Sequence, residues 1–164
     1  MAIDGKHEAI VSVGGIVSLK MHDVRNVEVN SDFCFLNTGS PHYISFVKNI
    51  EDYSVFEQGK KIRNSRRFKK EGTNVDFVEM KGKILFVRTY ERGVENETLS
   101  CGTGVTACAL VASLKGVIDN KYFCNIKTIG GNLKVKFKKK NATSFFDIWL
   151  EGPANFVFKG ELNL

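Results

Sequence analysis

Ser100-Cys101-Gly102-Thr103-Gly104-Val105-Thr106-Ala107-Cys108-Ala109-Leu110-Val111-Ala112-Ser113-Leu114-Lys115-Gly116 is the stretch that decides how this chain folds. From about Gly102 to Lys115 the residues are those of a helix. Val105, Ala107, Cys108, Ala109, Leu110, Val111, Ala112 and Leu114 make it apolar nearly all round. Such a helix has no face for water and must be enclosed by other structure. Gly116 suits its C-terminal cap. At the other end a single cysteine sits between polar and glycine residues, where the helix starts. A helix N-terminus offers unpaired N–H groups and about half a positive charge, a setting that lowers cysteine pKa values. Cys101 is therefore a candidate acid, base or nucleophile. Three readings stay open here: thiol chemistry, an anion held by the backbone of Cys-Gly-Thr-Gly, and a small buried hydrophobe.

Outward from this helix nearly everything reads as strand. His7 to Val13 and Ile16 to Met21 flank Gly14-Gly15, a hairpin signal. Asp32 to Leu36 and Tyr43 to Val47 are strand candidates around Asn37 to Pro41. Ile50 to Lys61 is a short helix candidate. Val75 to Met80 and Ile84 to Tyr90 flank Lys81-Gly82-Lys83, a second hairpin. After the apolar helix come candidate strands at Phe123 to Ile129, Leu133 to Lys138, Ser144 to Leu150 and Phe156 to Leu162, with glycine-rich turns between them. The expected fold class is α+β: a curved, mostly antiparallel, barrel-like sheet wrapped around a central buried helix.

With 164 residues, 43% of them hydrophobic, the chain can bury a real core. Two Pro against 15 Gly argue against a disordered or linker-rich chain. No apolar run is long enough to span a membrane, and the first residues lack the basic-then-apolar order of a signal peptide. The four cysteines, at 34, 101, 108 and 124, fit no zinc or CxxC spacing. Free thiols in a reducing cytoplasm are the simpler expectation. The net charge of +6 is densest at 60–70 and 134–140. It reads either as a nucleic-acid surface or as a solvated face. Lysines alternating with Leu133, Val135 and Phe137, and the lack of an aromatic-rich RNA-binding motif, favour the solvated face or a protected sheet edge.

Other residues carry chemistry in one reading and structure in another. Glu91-Arg92 could grip a zwitterion, Arg taking a carboxylate and Glu an ammonium, or be a solvated surface pair. Asn74 is a turn former or a ligand for polar groups. His42, after Pro41, is a base, an orienting donor or a structural histidine. Cys34, Cys108 and Cys124 lie in apolar runs and read as packing.

Together these residues resemble the diaminopimelate epimerase family. The run from Glu91-Arg92-Gly93 through Glu97-Thr98-Leu99-Ser100 to Cys101-Gly102-Thr103-Gly104 resembles that family's second active-site motif. Gly39-Ser40-Pro41-His42 resembles its Gly-Asn-Pro-His segment. Gly72-Thr73-Asn74-Val75-Asp76-Phe77 resembles its Gly-Thr-Asn-Val-Asn-Phe segment. The resemblance implies an amino-acid isomerase that interconverts LL- and meso-diaminopimelate using two cysteines on opposite sides of the α-carbon. It implies no pyridoxal phosphate, no metal and no other cofactor. Cys101 would be one of the pair. Asn74, Glu91, Arg92, Ser40 and the backbone of Gly102 and Thr103 would bind substrate, with His42 structural beside them. The setting implied is lysine and peptidoglycan-precursor synthesis in a bacterial cytoplasm, without nucleic-acid or membrane partners. A homodimer is also implied.

Two departures stand out. Ser40 replaces the family's Asn. The family's first motif, Cys-Gly-Asn-Gly, occurs nowhere in this sequence. The family is built of two similar halves with the site between them. The chain is thus expected to contain the last strands of the first half, within 1–31, and the C-terminal epimerase domain, 32–164. Its partner would be the missing N-terminal half, in cis or in trans. One base where two are needed implies inactivity alone. Rival readings are the half of a proline racemase-like or phenazine-biosynthesis-like isomerase, or a non-catalytic anion- or RNA-binding module.

Overall fold

The computed structural model describes residues 5–162. The ends of the two expected segments, 1–4 and 163–164, lie outside the described residues. Among the described residues eleven strands form one sheet: β1 (Ala9–Val11), β2 (Ile16–Lys20), β3 (Glu28–Val29), β4 (Cys34–Asn37), β5 (Pro41–Phe46), β6 (Asn74–Lys81), β7 (Ile84–Glu91), β8 (Asn96–Thr98), β9 (Phe123–Thr128), β10 (Gly131–Lys139) and β11 (Phe145–Pro153). A 3₁₀ turn (Ile50–Asp52) leads to α1 (Val55–Arg63), and α2 spans Gly102–Leu114.

The order across the sheet is β1-β2-β11-β10-β9-β7-β6-β5-β4-β3, with β8 on the C-terminal end of β7. Neighbours are antiparallel except β5 with β6 and β7 with β9. The expected α+β class, with its mostly antiparallel sheet about a buried helix, holds. The barrel-like expectation is refined: the sheet stays open, with β1 and β3 at its two ends. The N-terminal hairpin is not set apart from the rest, since β2 pairs with β11 in register Lys20 to Trp149.

α2 lies in the hollow of this sheet and touches β4 to β7 and β9 to β11. Every residue from Gly104 to Ala112 is buried. Val117 N–H reaches back to the Ala112 carbonyl (3.1 Å) and Gly116, at φ +69°, makes the left-handed turn that closes the helix. A second, smaller core lies on the other face of the sheet. There α1 covers Val75, Phe77 and Tyr90 with Val55. β6 is therefore buried on both faces. Alternate residues divide between them: Asn74, Asp76 and Val78 on one side, Val75 and Phe77 on the other.

β7 holds two partners on one edge. Ile84–Phe86 pair with β9, and Thr89–Glu91 pair with β8. The chain leaves β8 and enters α2 at this division. Gly130 N–H, from the β9–β10 turn, donates to the Leu99 carbonyl (2.7 Å) and anchors the approach to Cys101.

Three expectations change. The first is the lysine-rich strand, which is not an edge: β10 lies between β9 and β11. Its lysines pair with acids of β11, Lys136 with Glu151 (2.7 Å) and Lys138 with Asp147 (2.8 Å). Asp147 also takes Lys20 of β2 and the Trp149 indole N–H, and these donors, Lys138 first, hold its carboxyl far below the usual carboxylate range. The second is the apolar run Phe156 to Leu162, which forms no strand. Phe156, Val157 and Phe158 are all more than four-fifths exposed. The third is the helix expected from Ile50, which starts as a 3₁₀ turn and becomes α-helical only at Val55.

Candidate active site

Cys101 is the N-cap of α2, in extended backbone, and is 8% exposed. Its Sγ lies 3.5 Å from Thr103 Oγ1. Thr103 Oγ1 lies 3.0 Å from His42 Nε2, and His42 Nδ1 lies 2.7 Å from Asp76 Oδ2. The His42 and Asp76 side chains are wholly buried. Register explains the meeting. His42 is opposite Asn74 across the parallel β5–β6 pair, and Asp76 is two residues on, on the same face. That face looks at the first turn of α2. Thr89, opposite Asp76 on β7, donates its hydroxyl to Asp76 Oδ1 (2.7 Å).

A second group adjoins the first. Asn74 Nδ2 donates to Ser40 Oγ (2.8 Å), and Asn74 Oδ1 accepts from the Arg92 backbone N–H (2.8 Å). The Arg92 guanidinium donates to the Glu71 carbonyl (3.0 Å) and reaches Ser40 Oγ at 3.5 Å. Ser40 and Arg92 reach solvent, whereas Asn74 is buried beneath them. Glu91, ending β7, accepts from the Thr98 hydroxyl (2.9 Å). Gly102 and Thr103 are half-buried, and first-turn N–H groups have no intrahelical acceptor. Among the described residues no three His, Cys, Asp or Glu side chains are grouped to hold a metal.

The thiol departs from the sequence expectation. Burial, followed by the Asp76 charge, pushes Cys101 up to about 11; Thr103 and the Gly104 N–H lower it but do not win, and Glu91 adds to the rise. Desolvation penalises the charged form, and at this site it outweighs the helix terminus. Cys101 rests as a thiol. Cys34, Cys108 and Cys124 are buried packing residues as expected, each raised by burial above all.

The sequence reading named Ser40, His42, Asn74, Glu91, Arg92, Cys101, Gly102 and Thr103; the hydrogen bonds link Ser40, His42, Asn74, Arg92, Cys101 and Thr103, while Glu91 is bonded to Thr98. It missed Asp76 and Thr89. The available signal was alternation: Asp76 shares a face with Asn74, and a carboxylate inside Val75-Asp76-Phe77-Val78 needs a partner.

Gly104 makes this packing possible. A Cβ there would lie 2.6 Å from Asp76 Oδ1, 3.2 Å from Cys101 Cβ and 3.3 Å from His42 Cε1. Gly104→Ala gains at most about 1 kcal/mol of helix propensity. Overpacking costs about 1–3 kcal/mol, and the buried carboxylate must also leave its donors. The expected outcome is a lower urea midpoint; an unchanged or higher one would contradict the packing described.

The diaminopimelate epimerase family model matches residues 34–157. The diaminopimelate epimerase of Flavobacterium psychrophilum is 43% identical over 160 residues, 97% of this chain and 62% of that protein. That of Aquifex aeolicus is 41% identical over 130 residues, 79% of this chain and 45% of that protein. The chain thus spans less than two thirds of these relatives. A solved hydroxyproline epimerase from Agrobacterium vitis, with bound trans-4-hydroxy-L-proline, superposes with a TM-score of 0.70 at 14% identity, over 92% of this chain and 54% of that one; it shares the fold. With the family model covering most of its length and the motif cysteine seated at the mouth of its central helix, this chain belongs to the diaminopimelate epimerase family.

Proposed function

We propose that this chain is the C-terminal half of a cofactor-independent diaminopimelate epimerase, which interconverts the LL and meso forms by two-cysteine acid–base chemistry. The observation that carries this reading is the placement of Cys101, nearly buried at the N-terminus of α2, beside the Ser40–Asn74–Arg92 group. An amino-acid α-proton is weakly acidic, so its removal needs a placed base and donors for the charge that develops. The N–H groups of Gly102 and Thr103 serve the reacting carboxylate. Arg92, Ser40, Asn74 and Glu91 serve the remaining polar groups. With one stereoisomer bound, Cys101 as a thiol hands its proton to the α-carbon from one side while a second cysteine, which this chain does not supply in any comparable setting, takes the proton from the other; with the other stereoisomer bound, the two roles exchange. The role belongs to lysine and peptidoglycan-precursor synthesis in a bacterial cytoplasm.

The chain alone is expected to do neither half of this reaction at a useful rate. Diaminopimelate incubated with it in heavy water is expected to show no stereoinversion and no α-deuteration. Adding the part of the Flavobacterium psychrophilum relative that lies outside the match is expected to restore both. Robust inversion by the pure chain would refute the half-enzyme reading. An assembled but silent pair would refute the epimerase reading.

A further inference from the structure

The hydrogen-bond directions around Cys101 follow from one fixed donor. The Arg92 backbone N–H donates to Asn74 Oδ1 (2.8 Å), so the other end of that amide, Nδ2, can only donate. It gives its hydrogens to Ser40 Oγ (2.8 Å) and the Pro41 carbonyl (3.3 Å) and stands 3.4 Å from His42 Nε2. On the far side of the ring, Asp76 accepts from Thr89 at Oδ1 (2.7 Å) and faces His42 Nδ1 with Oδ2 (2.7 Å). A carboxylate accepts and does not donate, so the proton between them belongs to Nδ1. In the neutral ring, with its proton on Nδ1, Nε2 is then the acceptor. Thr103 Oγ1, 3.0 Å away, gives it the hydroxyl proton. With its proton given to Nε2, the Thr103 oxygen turns its lone pairs to Cys101 Sγ at 3.5 Å and the thiol donates; the lowering that a Thr103 hydroxyl gives Cys101 requires that hydroxyl to be released from His42. Every buried side-chain N and O among the described residues has a partner, so the network is closed.

The geometry points to Asp76 as a positioning residue that, through His42 and Thr103, keeps the proton of Cys101 on sulfur. Asp76 does not touch the reacting atoms; it sets the direction of a relay that does. The other groups facing the relay are Cys108 on α2, which feels the Asp76 charge, and Glu91, whose charge acts on Cys101. Resting on the epimerase reading, the inference makes Cys101 the proton donor of the resting enzyme and leaves the thiolate to the other cysteine.

Asp76→Asn tests it without any turnover. The amide it introduces keeps an oxygen for Thr89 and offers N–H to His42 Nδ1. The ring proton then moves to Nε2, the Thr103 hydroxyl turns to sulfur, and the thiolate is favoured. Nitrogen-15 NMR of the imidazole in the unmodified chain is expected to show Nδ1 protonated and Nε2 bare, reversed in Asp76→Asn. Iodoacetamide alkylation of Cys101 near neutral pH, followed by peptide mass spectrometry, is expected to accelerate about threefold or more. A fall of one pKa unit gives about tenfold more thiolate, partly offset by its lower nucleophilicity. Unchanged tautomer and rate in a folded variant would overturn the inference. So would a protonated, non-accepting Nε2 in the unmodified chain, which decides the matter even where the variant unfolds and all four thiols react together. None of these readouts depends on diaminopimelate, so failure of the epimerase reading would leave them intact and be seen separately.

Discussion

Cys101→Ala, in the chain assembled with its complementary half, is expected to slow interconversion of the diaminopimelate isomers by about 10²–10⁴-fold, the range that a placed acid–base group supplies. The loss should fall on kcat, because the N–H groups of Gly102 and Thr103 and the Arg92 group remain to bind substrate. A second signature separates lost chemistry from lost folding. The remaining cysteine still faces one side of the α-carbon. The isomer that presents its proton to that side should exchange it with heavy water without inverting. Undiminished inversion by the variant would remove Cys101 from the mechanism altogether.

The second large effect concerns stability. Leu110 stands midway along α2 and is wholly buried. Leu110→Ala removes apolar contact and leaves a cavity that a closed helix–sheet core fills poorly. Such changes cost about 2–5 kcal/mol, against a total of about 5–15 kcal/mol for a typical domain. Urea unfolding should show a strongly lowered midpoint with little change in slope. A loss below about 1 kcal/mol would mean that the sheet collapses onto the helix more readily than its packing indicates.

α2 could be read from sequence because apolar residues all round a helix leave it one place to be. The hairpins at Gly14-Gly15 and Lys81-Gly82-Lys83 were legible from turn chemistry. β3 and β8 were not, since Glu28–Val29 and Asn96–Thr98 have no pattern of their own and are strands only because β4 and β7 pair with them. Phe156 to Leu162 errs in the opposite way: the pattern suits a strand, but within the described residues it has no ladder to join. At the site, the family resemblance singled out Cys101, Asn74, Arg92 and Ser40, and the structure brings Ser40, Asn74 and Arg92 into one hydrogen-bonded group. The upward shift of the Cys101 thiol was not legible, because a helix terminus is visible in sequence, whereas burial and a carboxylate from β6 come only with the fold.

The pairing of Lys20 with Trp149 has a consequence for how the molecule is made. β2 leaves the ribosome about 130 residues ahead of the strand it needs. At typical elongation rates it waits on the order of ten seconds for β11. Throughout that interval Ile16 and Val17 are part of an unpaired border that other nascent chains can join. Lys20 bears on this twice. Its charge discourages a like neighbour during the wait, and it meets Asp147 when the correct strand arrives. Assembly of this protein is therefore most vulnerable in the interval before β11 is made, at the hairpin of β1 and β2.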